Sequence, residues 1–167
     1  GGAVTLGAPV DGVGVPIGGS GRPFRLAYLG TPLTNQHAGP LGLHGVDPIV
    51  APHADLPGQV AAERDFWMLT PHGLDPGYAQ FPEGLDPADM LELRGPSTLH
   101  KALDAALPLA EVLLEERLAN LSPASARAEA AQVVAARPSY RWAIGAEQIS
   151  SRLAASMAMV HRDLHPA

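Results

Sequence analysis

Between residues 97 and 121 apolar side chains recur at steps of three and four: Leu99, Ala102, Leu103, Ala106, Leu107, Ala110, Leu113, Leu114, Leu118 and Leu121. Wound at about 3.6 residues per turn, they form one stripe. Lys101, Asp104, Glu111, Glu115, Glu116 and Arg117 fall mostly opposite. A stripe of this kind has to be buried, and it is read as the element around which the chain is organised. Pro108 interrupts it, at a cost of roughly 3 kcal/mol inside a helix. The expectation is therefore a kinked helix, or two helices over about 98–106 and 109–120, with Ser97 capping the first. Leu103, Leu107, Leu114 and Leu118 are predicted core.

Upstream, Phe24, Leu26 and Tyr28 alternate with Arg25, Ala27 and Leu29, which predicts a strand over 22–31. From 31 to 57 glycine or proline breaks the pattern every few residues, so an ordered loop is expected, with an extended piece at 49–51. Asp55 followed by Pro57 predicts a helix over 57–68, with a short strand at FWML as the alternative. Asp86, Pro87 and Asp89 predict a short helix closed by Gly95-Pro96. Ser122-Pro123 starts an alanine-rich helix to about residue 136. Residues 140–145 alternate as a short strand would, and a last helix is expected over 147–163.

A pattern (His/Glu)-Gly-(Leu/Val)-Asp-Pro occurs three times, at His44–Pro48, His72–Pro76 and Glu83–Pro87. The unequal offsets exclude a solenoid repeat. Local chemistry accounts for the pattern: glycine turns the chain, aspartate accepts backbone N–H bonds, and proline presets φ for a first helical turn.

Composition narrows the picture. The 18 glycines and 17 prolines crowd the first hundred residues, so that half is expected to be turn-rich. Residues 1–21 read as a flexible glycine-rich arm; their glycines lack the strand, spacing and helix of a phosphate loop. Residues 22–167 read as one domain, loop-rich over 22–95 and helical over 96–167. The fold class expected is mainly α, with α+β as the alternative: a bundle-like C-terminal half, the N-terminal arm and one or two short strands.

The chain has no cysteine, which excludes disulfides and thiolate metal sites. No apolar run reaches the roughly 20 residues of a membrane span, and no signal peptide is visible. The compartment is left open between cytoplasmic and secreted. The net charge of −6 arises within 55–96, where eight acids face Arg64 and Arg94. With no basic stripe, no nucleic-acid partner is expected.

Seven histidines are present. His44, His53 and His72, with Asp47, Asp55 and Asp75 near them, are the candidate metal ligands, because zinc takes imidazole and carboxylate. No helical HExxH spacing supports them, and no GxSxG elbow supports a serine nucleophile. No residue is assigned a catalytic or cofactor-binding role, and no cofactor is expected.

The segment Arg137-Pro138-Ser139-Tyr140-Arg141-Trp142-Ala143-Ile144-Gly145 resembles an RWAVG stretch of actinobacterial (mycobacterial) domains associated with type VII secretion, with Ile144 in place of valine. The abundance of Ala, Gly and Pro and the preference for Arg over Lys agree with such a source. The resemblance implies a secretion-associated domain and transfers no functional residue. The reading reached is a non-enzymatic protein-interaction or scaffold domain, with a protein partner or self-association through its alanine faces. The alternative is a metal-dependent hydrolase using the loop His and Asp residues.

Overall fold

A computed structural model describes residues 33–44 and 47–165. The expected arm at 1–21 and strand at 22–31 lie outside the described residues. The fold is mainly α with a small three-stranded sheet. In chain order it comprises α1 (Asn35–His44), β1 (Ile49–Val50), α2 (Leu56–Leu69), a 3-10 turn (Thr70–His72), β2 (Gly77–Tyr78), α3 (Pro87–Arg94) and α4 (Pro96–Asp104). Then follow β3 (Leu107–Pro108), α5 (Leu109–Asn120), α6 (Pro123–Ala136), a second 3-10 turn (Ser139–Arg141), α7 (Trp142–Leu153) and α8 (Met157–Leu164).

The helix-start signals work as local chemistry predicts. Asp55 caps α2, its Oδ1 accepting from Gly58 N–H at 2.7 Å. Asp86 caps α3 through a reciprocal box with Asp89. Ser122 precedes Pro123 at the start of α6, although its hydroxyl donates to Ser125 Oγ rather than accepting from the backbone. For α4 the cap is Gly95, in the left-handed region at φ 79°, and not Ser97.

The break at Pro108 is a strand instead of a kink. Leu107 and Pro108 form β3, antiparallel to β2, with Gly77 facing Pro108 and Tyr78 facing Leu107. That role leaves Leu107 exposed, whereas Leu103 and Leu114 are buried as expected. Leu118 is partly buried against the second apolar cluster. The strand expected at 140–145 is helical, because those residues complete the second 3-10 turn and open α7. The single helix expected at 147–163 is two: Ala154 adopts φ 49° and ends α7.

Three apolar clusters make up the core. One gathers Leu33, Phe66, Leu69, Leu74, Leu109 and Val133 under α2 and α5. A second joins Leu114, Ala130, Val134, Ile149 and Val160 between α5, α6, α7 and α8. A third seats Met90, Leu99 and Leu103 against Ala51 and Ala79, next to the sheet. Helix α5 contributes to the first two clusters, so the second half of the leucine stripe does join the molecule together. The hub of the C-terminal half is α6, whose Ala126, Ala130 and Ala131 are fully buried. Those alanines serve close internal packing. At Gly145 the approach is tighter still: a Cβ there would lie 2.5 Å from Val134 Cγ2.

Candidate functional site

Strands β1 and β2 run parallel, pairing Ile49 with Gly77 and Val50 with Tyr78. The register offset is the same 28 residues that separate the first two Gly-X-Asp-Pro motifs. Those motifs are thus neighbours in space, and each leads its chain into the sheet. Asp47 Oδ1 accepts from Asp75 N–H at 2.7 Å, Pro48 carbonyl from Gly77 N–H at 2.8 Å, and Pro76 carbonyl from Leu109 N–H at 2.8 Å. The third motif performs a different task, capping α3 with Asp86.

At this amino end of the sheet the charges are locked. Asp75 and Arg137 are a buried pair, with side chains 3% and 2% exposed. Arg137 Nε and Nη2 donate to the two carboxylate oxygens at 3.0 and 2.9 Å. Arg141 Nε adds a second positive group 3.4 Å from Asp75 Oδ2, without hydrogen-bond geometry. Its guanidinium is held above its usual pKa, first by Tyr140 and then, against some desolvation, by Asp75 and Asp47. A bidentate Arg–carboxylate fork fixes orientation as well as charge. It ties the end of α6 to the sheet across 62 residues of sequence.

At the carboxyl end Ala51 and Ala79, which follow β1 and β2, are buried against Met90, Leu99 and Leu103, and the polar groups lie beyond them. In α/β sheets, ligands sit beyond the carboxyl ends of strands. The loop 51–55 leaves β1 there and enters α2 so tightly that a Cβ on Gly58 would meet His53 O at 2.1 Å. The loop holds His53 outward, with its side chain 61% exposed and Nε2 3.4 Å from Asp86 Oδ2. Asp86 accepts from Asp89 N–H through its other oxygen at 2.8 Å. His53, just before the cap of α2, thus touches Asp86, the cap of α3.

Of the three candidate metal-binding histidines, His53 and His72 do not come together. His72 lies beyond the far end of α2, whose 14 residues separate it from His53 by about 20 Å at 1.5 Å per residue. His72 is exposed beside α1, with Gly42 giving it room. The His44 side chain lies outside what is described. Among the described residues no group of three His, Asp or Glu is placed to hold a metal ion, and no helix is long and apolar enough to cross a membrane. Reading the histidines by sequence proximity missed Asp86, the neighbour that His53 does have. It also missed Arg137 and Arg141. The repeated Asp-Pro was the available signal for Asp75, and nothing local marks its arginine partner.

No family model and no curated protein matches the chain. Solved structures do. A DNA primase domain from Pseudomonas aeruginosa is similar with a TM-score of 0.66 and 21% identity, over 83% of this chain and 46% of that one. The primase of Aquifex aeolicus, described by its zinc-binding and RNA polymerase domains, gives 0.64 and 21%, over 80% and 33%. A DnaG primase catalytic domain bound to single-stranded DNA gives 0.63 and 17%, over 79% and 45%. The chain spans between a third and a half of these proteins. The likeness overturns the expectation of a non-enzymatic, secretion-associated interaction domain without a nucleic-acid partner, and the hydrolase alternative with it. Net charge and the absence of a basic stripe describe an average surface, and the fold is a more specific indicator than either. None of these neighbours bears on type VII secretion. All three are described as parts of primases, and over about four-fifths of its length this chain has part of the fold they share.

Proposed function

We propose that this chain is part of a nucleic-acid-processing catalytic domain of the primase kind, acting on single-stranded DNA, with the carboxyl end of the small sheet as its working face. The observation that carries this is the shared fold with primase catalytic domains, one of them bound to single-stranded DNA. The chemistry at the carboxyl end is compatible with it. Phosphoryl transfer depends on positioning and on managing charge, and that end offers an outward imidazole steadied by a carboxylate beside two helix N-termini. The described residues do not by themselves compose a metal centre, so no step is derived through one.

The test is direct. Fluorescence anisotropy with a labelled single-stranded oligonucleotide measures binding, and incorporation of labelled ribonucleotides on a single-stranded template measures synthesis. Binding together with incorporation is expected, with His53→Ala lowering incorporation more than binding. A protein that neither retains single-stranded DNA nor incorporates nucleotides would sink the reading.

A further inference from the structure

Tyr140 is an exposed aromatic ring on a turn that is pinned at both sides. It is 68% exposed. The turn follows Pro138, whose carbonyl accepts from Arg141 N–H at 2.9 Å. The Trp142 indole donates to Arg137 O at 2.8 Å, and Arg137 is itself clamped on Asp75. Ordering this turn therefore owes nothing to burial of the tyrosine. The ring's recorded neighbour is Arg141, whose guanidinium carbon lies 5.2 Å from its centroid. Ile144, in the first turn of α7, is 51% exposed as well. Arg141 also lines a cleft of about 250 Å³ shared with Asp47, Gly77, Leu107 and Pro108.

Local charge decides what such a surface takes. Asp47, Asp75 and Asp104 line the cleft with Arg141, and Asp75 is itself paired with Arg137. Phosphate oxygens are disfavoured there. A flat, neutral base is not, and the amino groups of bases are donors that carboxylates accept. Aromatic rings backed by arginine stack unpaired bases of any sequence.

We propose that Tyr140, supported by Arg141, is a stacking platform for one unpaired base of single-stranded DNA, with the strand's phosphates turned to solvent. This inference rests on the primase-type reading and adds a contact at the end of the sheet opposite its working face.

Anisotropy with a mixed-sequence single-stranded oligonucleotide tests it. Tyr140→Ala is expected to weaken binding about five- to a hundred-fold, while Tyr140→Trp retains it. The slope of log affinity against log salt should stay unchanged, since no phosphate contact is lost. An oligonucleotide carrying 5-iododeoxyuridine should crosslink to the peptide containing Tyr140. If wild-type protein binds and Tyr140→Ala binds equally well, or loses affinity with a shallower salt slope, the platform is overturned and the primase-type reading stands. If wild-type protein fails to bind single-stranded DNA, the platform falls, and if it also incorporates no nucleotides the primase-type reading falls with it. Circular dichroism matching wild type keeps the alanine variant interpretable.

Discussion

The two ends of the small sheet handle charge in opposite ways. At the amino end Asp75 is buried and its carboxylate is consumed by Arg137 and approached by Arg141. At the carboxyl end Asp55 and Asp86 sit at helix N-termini, and His53 stands in solvent. Burial is the difference. A carboxylate taken out of water must be paired, and the pair then fixes how elements meet. A carboxylate at an exposed helix start is satisfied by backbone N–H groups and leaves its neighbours free to act. One end therefore holds the molecule together, while the other is available for chemistry.

The largest expected effect is at the closed end. Arg137→Ala strands Asp75 in the interior and is expected to cost about 3–5 kcal/mol, read as a drop in the denaturant midpoint. Replacing both partners, as in Arg137→Met with Asp75→Leu, should recover most of that loss. A single variant as stable as wild type would show that the pair is not the tie between α6 and the sheet. Next is Gly145→Ala, which drives a methyl into Val134; about 1–3 kcal/mol should be lost. Adding Val134→Ala should relieve the clash in part, measured against each single variant.

The carboxyl end should respond differently. Asp55→Ala removes the α2 cap and is expected to cost about 1 kcal/mol. His53→Ala should move thermal stability by no more than about 0.5 kcal/mol, yet reduce nucleotide incorporation. If His53→Ala instead unfolds the protein as Arg137→Ala does, the division between the two ends fails.

Asp65 on α2 belongs to neither end and is the smallest test. Burial raises its pKa above 3.8, with Arg64 opposing the shift. The folded state thus holds the proton more tightly than the unfolded chain. Stability from this group is fully present below about pH 3.8, the unfolded value, and is lost as pH rises through the folded value. Asp65→Asn should remove that segment of the pH–stability curve, and an unchanged curve would refute the assignment.

What the sequence by itself determined are the features written within one helical turn. Asp55 with Pro57, Asp86 with Pro87 and Asp89, and Ser122 with Pro123 mark helix starts at or next to where α2, α3 and α6 begin. The mainly α class followed from those signals and from the leucine period. Two-residue strands such as β2 and β3 carry no readable period, so only their pairing reveals them. Helix α1 forms in a Gly/Pro-rich stretch that local propensity assigns to a loop, with Gly42 allowing close approach to His72. Residues 140–145 alternate yet are helical, because Arg137 and Trp142 are anchored by distant groups and by the turn itself. The 28-residue echo was visible, but its meaning as two strands side by side required the register. Asp75 and Arg137 meet across 62 residues, and His53 meets Asp86 from another element. Such contacts depend on where the core places each element, and no local pattern encodes that placement.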